Sequence, residues 1–252
     1  MNNINDNTRI IRIAYDELSR NYKYDKKSKS LDSRVQIVSI NDINRYLDHD
    51  DIKLVGVYQP CEGQILMRHP FAPNTFIDAS MSPMDLFQDK VNKMGIVLQR
   101  LGVKSISGKA RWIETKKREI DAEGNIGIKS VGVSGSFHTE ETHDEYSDIS
   151  ISKSYPNAQL TQNLYSQAID IAKQYGLYND SQISALIESR NPALGSNVQG
   201  QEQVSVELSK EYNELTSIAF SLNVLKIFKI DFHYKENIET VNKVKIDLDI
   251  QF

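Results

Sequence analysis

The chain contains the same order of elements twice, and this repetition constrains its fold more than any other feature. A helical pattern begins at Pro83, and the sequence after it alternates between apolar and polar residues, with turns, as far as Tyr155. A second helical pattern begins at Ala158 and is followed by similar alternating sequence to Phe252. Short turns join strands in antiparallel order, whereas parallel pairing needs crossover helices. The pattern predicts an α+β fold: an antiparallel, long-stranded twisted sheet with helices packed on one face, built from two helix-plus-hairpin units.

The N-terminal region carries short helical patterns rather than strand patterns. Residues Thr8 to Tyr24 place apolar side chains near one face at helical spacing, and Ser39 to Leu47 does the same with Ile43 and Tyr46. Between them, 25–34 is charged and serine-rich, which is typical of a linker. We therefore expect a small helical N-terminal region over 1–50 and one α+β domain over 51–252, with 83–155 and 158–252 as its units.

Strand signals start after residue 50 and are interrupted by one well-marked helix. Short β-prone runs cover 52–58, 65–68 and 75–79, and prolines stop the pattern between them. Ser82 and Pro83 supply an N-cap and a first-turn proline, and Gly102 supplies a stop, so the sequence predicts a helix to about Leu101.

The rest of the chain predicts long strands around a second helical block. Strands are expected over 106–120 and 126–141, with a turn at 121–125. A helical block over 158–190 is predicted to be interrupted near Gly176. From Val204 to Phe252 the apolar residues alternate, including 218–234, which predicts strands that include the C-terminus.

Net charge, apolar runs and cysteine content limit the functions that the chain is expected to have. The formal charge of −4 argues against nucleic acid as a partner, since non-specific binding needs a basic footprint. No apolar run approaches the roughly 20 residues of a membrane-spanning helix. One cysteine, Cys61, and no signal-peptide pattern predict a cytoplasmic protein, and frequent Asn, Lys, Ile and Tyr resemble AT-rich bacterial usage.

The densest group of potential metal ligands lies between residues 137 and 145. His138 and Glu140 would share a face of a strand, but His143 would lie on the other, and no H-E-x-x-H motif is present. Solvated acidic residues at a hairpin end explain the same pattern. We expect no metal and no cofactor, and keep His138, Glu140 and His143 as weak candidates.

A basic strand segment is the main candidate for an interaction surface. Lys109, Arg111, Lys116 and Lys117 surround Trp112, as in surfaces that stack single-stranded nucleic acid. Lysines on an exposed strand also prevent edge-to-edge aggregation. Phosphate-loop and serine-nucleophile motifs are absent, so the sequence favours a protein that is not an enzyme.

The sequence supports two main hypotheses of function and a weaker third one. The first is a non-catalytic protein that binds a partner or its own copies, as a homo-oligomer, through strand edges or a sheet face. The second is a β pore-forming, membrane-acting protein, in which Val131, Val133 and Phe137 would face lipid. Its long strands flanking a helical block resemble gasdermin-like and perforin-like domains in arrangement, although their motif residues are absent. The third is a small-ligand binder or enzyme with a sheet–helix pocket where Arg68, His69 and Tyr58 converge.

Overall fold

The computed structural model describes residues 4–17, 19–20, 33–118, 138–141, 150–156, 159–194, 200–224 and 240–252, with the backbone alone at 111–118, 138–141, 150, 220–224 and 240–242. The strands are β1 Ile10–Ala14, β2 Val35–Ser39, β3 Lys53–Val55, β4 Ile65–Arg68, β5 Thr75–Asp78, β6 Ser105–Arg118, β7 His138–Glu141, β8 Ser150–Ser154, β9 Gln201–Glu207 and β10 Thr240–Gln251. The α-helices are α1 Ile40–Asp48, α2 Pro83–Arg100, α3 Gln162–Gln174, α4 Ser181–Ser189 and α5 Lys210–Val224, with 3-10 turns at Leu177–Asn179 and Pro192–Leu194. The α+β class is confirmed, and the strands form two sheets.

The first sheet has the order β2-β1-β4-β5-β3, with β2 parallel to β1 and β3 parallel to β5. Both of its faces are covered. Ile11, Ile13 and Leu66 pack with α1 on one face, while Ile10 and Met67 belong to the larger core on the other. Because neighbouring residues along β1 and β4 are buried on opposite faces, these two strands are apolar at most positions.

This two-sided burial overturns the helix predicted from Thr8. Residues Ile10–Ala14 form β1, although Asp16, Glu17, Ser19 and Arg20 are helical. The predicted linker at 25–34 lies mostly outside the described residues. The second short helix is confirmed as α1, which Ser39 caps by accepting from Asp42 N, with Ile43 and Tyr46 buried. Thus the first 50 residues contribute two strands to the sheet that also holds β3, β4 and β5.

The second sheet has the order β7-β6-β10-β9, with β8 also paired to β6. β10 pairs with β6 over its full 12 residues, from Thr240 opposite Lys116 to Gln251 opposite Ser105. Its even-numbered residues are buried, as the alternating pattern predicts: Val244, Ile246, Leu248 and Ile250. The turn predicted at 121–125 lies outside the described residues.

Helices α2 to α5 share one continuous core with both sheets. Ser82 Oγ accepts from Met84 N at the start of α2, and Gly102 follows its end at φ 79°, so the predicted caps are confirmed. The predicted break in the second helical block is also confirmed, since Gly176 at φ 67° separates α3 from the turn before α4.

The strand predicted over 218–234 is wrong where the structure describes it, because α5 continues to Val224. Tyr212, Leu215, Thr216 and Ala219 are buried. Their spacing is i, i+3, i+4 and i+7, which is the stripe of a helix packed on a core. α5 therefore interrupts the second unit between its two strands, so the two units differ.

Candidate functional site

The strands of the second sheet alternate in direction from one edge to the other. β10 runs antiparallel to β6 and to β9, and β6 runs antiparallel to β7 and β8. β9 and β6 therefore point one way, while β10, β7 and β8 point the other. One edge of this sheet is β9, and the opposite edge is β8 with β7.

Backbone hydrogen bonds identify which groups face outward on β9. Leu208 N donates to Val244 O, and Phe252 N donates to Gly200 O. Bonded and unbonded pairs alternate in an antiparallel ladder, so the even-numbered residues of β9 bond β10. The backbone groups of Gln201, Gln203 and Ser205 therefore point away from the sheet, and these side chains are exposed.

The β8 edge also turns backbone groups outward. Tyr155 N donates to Lys104 O, so the intervening residues Ser152 and Ser154 turn their backbone groups away from β6. Both side chains are exposed. In the part of the chain that the structure describes, no strand pairs with the outer side of β8 or β9. At these outward positions both strands carry neutral Ser or Gln, and the lysine of β8, Lys153, donates to Asn92 Oδ1 of α2.

The β9 edge is closed at one end by a buried lysine. Lys90, in α2, is fully buried, and its Nζ donates to Glu207 O at 2.6 Å. The same ammonium lies 3.2 Å from Asp180 Oδ2 and 3.0 Å from each carboxylate oxygen of Glu211. Asp180 also caps α4 by accepting from Gln182 N. One cation therefore joins α2, α4, α5 and the end of β9.

Sequence reasoning missed this cluster, although one signal was present. Lys90 lies four residues after Leu86 and four before Met94, so it occupies the apolar stripe of α2. A lysine at such a position indicates a buried charge with partners. Its two carboxylates follow it by 90 and 121 residues, a pairing that local spacing does not contain.

The outer face of the second sheet is polar in its described part. On β10, Lys243, Lys245 and Asp247 are exposed, and Asp249 accepts from Gln203 Nε2 at 2.6 Å. A face of mixed charge offers no contiguous apolar patch for a partner. Of the two predicted interaction surfaces, the sheet face is therefore less suited to a protein partner than the strand edges.

The basic segment predicted as an interaction surface lies on β6. Lys109 is exposed and stands opposite Asp247 in the ladder, and Lys116 stands opposite Glu140. Arg111, Trp112 and Lys117 belong to the part of β6 that is described along its backbone. β6 pairs with β10 on one side and with β7 and β8 on the other, so the predicted role of these lysines in protecting a strand edge is wrong. The acidic register partners weaken the case for nucleic-acid stacking. Val131, Val133 and Phe137 lie outside the described residues.

The candidate metal ligands are only partly described. His138 and Glu140 lie on the backbone of β7, and His143 is outside the described residues. In the regions where side chains are described, no group of three or more His, Cys, Asp or Glu residues is placed to hold a metal ion. These three residues remain a prediction.

A second candidate site is an open cleft of about 400 Å³ between the first sheet and helices α3 and α5. Arg68 and His69 both line it, as the pocket hypothesis expects, but Tyr58 does not and is fully exposed. Sequence reasoning missed its other charged residues, which come from distant segments: Arg9, Lys173, Lys210, Glu211 and Glu214.

His69 is buried in this cleft, and its surroundings disfavour the charged form of the ring. Burial lowers the pKa of its imidazole below the ordinary value of 6.5, and the Asp89 carboxylate only partly opposes that effect. Phe71 N donates to His69 Nδ1 at 3.1 Å, so the proton of the neutral ring is assigned to Nε2, 3.5 Å from Asp89 Oδ2. This arrangement orders the loop after β4 and leaves no lone pair of His69 free to act as a base.

In comparisons with known proteins, no family model, curated protein or solved structure matches the chain. No helix in the described ranges is both long enough and apolar enough to cross a membrane.

Proposed function

We propose that the protein is a non-catalytic self-assembly protein whose copies join by strand pairing at the open edges of its second sheet. The observation that carries this proposal is the row of neutral, exposed residues whose backbone groups point outward on both edges: Gln201, Gln203 and Ser205 on β9, and Ser152 and Ser154 on β8. Unpaired backbone donors and acceptors on an unprotected edge are a template for another strand.

Strand direction supports a second copy as the occupant. β9 and β8 run in opposite directions within one sheet. When β9 of one copy lies beside β8 of the next, the sheet continues with the same antiparallel alternation. Such a head-to-tail contact uses two different surfaces, so it generates a ring or a filament rather than a closed pair.

Substitution of Ser205 tests the β9 edge. Ser205→Pro removes an outward N–H but leaves the hydrogen bonds from the neighbouring residues to β10, because Ser205 does not bond that strand. We expect wild type to form a defined oligomer by light scattering on a sizing column, and Ser205→Pro to lose it. Ser205→Ala keeps the N–H and should assemble as wild type does.

The β8 edge distinguishes head-to-tail from two-fold pairing. If β9 of one copy pairs with β8 of the next, Ser152→Pro should also reduce the mass of the oligomer measured by light scattering. Ser152→Ala should leave that mass unchanged. Assembly that resists Ser152→Pro but fails with Ser205→Pro would indicate a two-fold β9–β9 dimer. A wild type that stays monomeric at every concentration tested contradicts the proposal, provided that circular dichroism shows the native fold.

The proposal places the protein in the cytosol. Cys61 is a free, exposed thiol. Lone exposed thiols persist in reducing compartments.

A second candidate function is the formation of β-lined membrane pores, favoured by the length of the β6–β10 pair. Twelve paired residues at about 3.3 Å each extend for about 40 Å, whereas a membrane-spanning strand needs only about 9–11 residues. Assembly by strand pairing is compatible with such a use, since spanning sheets must have no open edge in lipid.

Dye release from liposomes tests this second function. Val133→Asp changes a residue expected to face lipid, while Ser134→Asp makes the same charge change at the opposite strand parity. Pore formation predicts leakage by wild type and Ser134→Asp, and its loss in Val133→Asp. Absence of leakage by wild type, with assembly intact, leaves self-assembly as the function.

A further inference from the structure

The cleft between the first sheet and helices α3 and α5 is built from four separate chain segments. Its walls include Arg9 before β1, the 68–73 segment after β4, the end of α3 and the first turns of α5. Its volume of about 400 Å³ lies in the range of small-molecule sites. The cleft is therefore large enough for a metabolite-sized ligand.

The charges that line the cleft favour an anion. Four cations line it, Arg9, Arg68, Lys173 and Lys210, against the two carboxylates Glu211 and Glu214. Both carboxylates have basic partners outside the lining residues. Glu211 Oε1 lies 3.0 Å from Nζ of the buried Lys90. Glu214 Oε1 lies 4.0 Å from Arg34 Nη1. Lys90 also pairs with Asp180, so it compensates Glu211 only in part, but the four lining cations still exceed the two lining carboxylates and favour a positive potential in the cleft.

One of the cations is already held in place. Arg68 Nε donates to Thr8 O at 2.6 Å, and its Nη2 donates to Asn5 O at 3.2 Å. Burial, together with the nearby charge of Arg9, lowers the pKa of the Arg68 guanidinium. The side chains of Arg9 and Lys210 have no hydrogen bond to another described residue. The Asp6 carboxylate only partly offsets the effect of Arg9 on Arg68, so a further anion beside these two cations would be favoured.

The backbone around the cleft is also ordered. Gly176 has φ 67°, and a Cβ added there would lie 3.2 Å from Pro70 O, so the two walls approach closely at this point. His69 Nδ1 accepts from Phe71 N in the facing loop. A site whose walls are fixed before binding loses less entropy when a ligand enters.

From these observations we propose that the cleft binds a small phosphate-bearing anion, with Arg9, Arg68 and Lys210 as its principal contacts. Guanidinium groups bind phosphate oxygens through paired, charge-assisted hydrogen bonds, and lysine adds a mobile positive charge. The phosphate group belongs either to a free metabolite or to a lipid headgroup, since both present the same chemistry. The cleft adjoins the end of β9, because Glu211 lines it and also bonds Lys90, and Lys210 lines a neighbouring cavity with Ser205 and Glu207. Binding and assembly are therefore measured on the same variants.

Calorimetric titration of the full chain with inorganic pyrophosphate tests the proposal. The double variant Arg9→Gln, Lys210→Gln removes two cleft charges that make no hydrogen bond to the described structure. The control Lys53→Gln, Lys104→Gln removes two exposed charges away from the cleft. We expect wild type to bind with a dissociation constant below about 1 mM, the cleft variant to bind about tenfold more weakly, and the control to stay within about twofold of wild type.

A second arm identifies the source of the phosphate. Co-sedimentation with phosphatidylcholine vesicles that contain phosphatidic acid, lost in the cleft variant, supports a lipid headgroup. Pyrophosphate binding without vesicle binding supports a free phosphate ligand. Failure of wild type to bind either probe, or equal weakening in the cleft and control variants, overturns the proposal. The light-scattering mass of each variant is measured in parallel, so loss of binding and loss of assembly are distinguished.

Discussion

The two sheets of this protein differ in how they are enclosed. The first has short strands, with apolar residues packed on both faces and edges of only five residues in β2 and three in β3. The second has long central strands in β6 and β10, one buried face and one polar face in its described part, and edge strands of seven residues in β9, five in β8 and four in β7. Edge length alone does not separate the sheets, since β8 and β2 are both five residues long. The second sheet is distinguished by the neutral Ser and Gln side chains at the edge positions whose backbone groups point outward. The proposed self-assembly therefore depends on the second sheet, while the first sheet forms one wall of the proposed anion site.

The largest expected effect concerns Lys90, which closes one end of the β9 edge. Lys90→Met leaves Asp180 and Glu211 close together without their cation, and removing one partner of a buried ion pair costs about 3–5 kcal/mol. We expect a loss of that size in the free energy of unfolding, measured with urea.

Two further variants isolate the cause of the Lys90 effect. Lys93→Met removes a more exposed lysine of the same helix and should cost about 1 kcal/mol or less. Adding Asp180→Asn and Glu211→Gln to Lys90→Met should restore part of the stability, since Asn retains a helix cap. If Lys90→Met is as mild as Lys93→Met, the cluster does not hold the edge.

A somewhat smaller effect tests the difference in enclosure directly. In the first sheet, Ile10→Ala and Ile11→Ala should each cost about 2–4 kcal/mol, because both side chains are buried, on opposite faces. In the second sheet, Ile246→Ala should cost a similar amount, but Asp247→Ala should change stability by about 0.5 kcal/mol or less. If Ile246→Ala and Asp247→Ala lowered the free energy of unfolding equally, the second sheet would not have one buried and one exposed face.

The smallest effect is a pH dependence on the first sheet's side of the molecule. Burial lowers the pKa of His69 below 6.5, so the unfolded state binds the proton more readily than the folded state. The contribution of His69 is fully present above about pH 6.5 and is lost as the pH falls from there toward the folded pKa.

Urea unfolding of wild type and His69→Gln between about pH 7.5 and about pH 5.5 measures this contribution. Wild type should lose more stability across that interval than His69→Gln does. His49→Gln changes an exposed histidine and should behave as wild type. Identical pH profiles for wild type and His69→Gln would show that burial does not disfavour the charged ring.

The same difference between the sheets explains where prediction from the sequence succeeded. Alternation in 244–250 is visible because one face of β10 is buried and the other is polar. Ile10–Ala14 has no alternation, since both faces of β1 are buried, and an apolar run that continues into a helical turn was interpreted as one helix. Arg68 and His69 were expected in a pocket, and they line the cleft, but the residues opposite them come from segments more than a hundred positions away.

Local sequence by itself determined the α+β class, the boundaries of α2 through Ser82, Pro83 and Gly102, and the break at Gly176, because caps and turns depend on residues close in the chain. Only the tertiary structure decided that α5 is a helix, that the strands divide into two sheets, and that Lys90 meets Asp180 and Glu211. Those outcomes depend on which surfaces become buried against each other, and burial is a property of the whole packed chain.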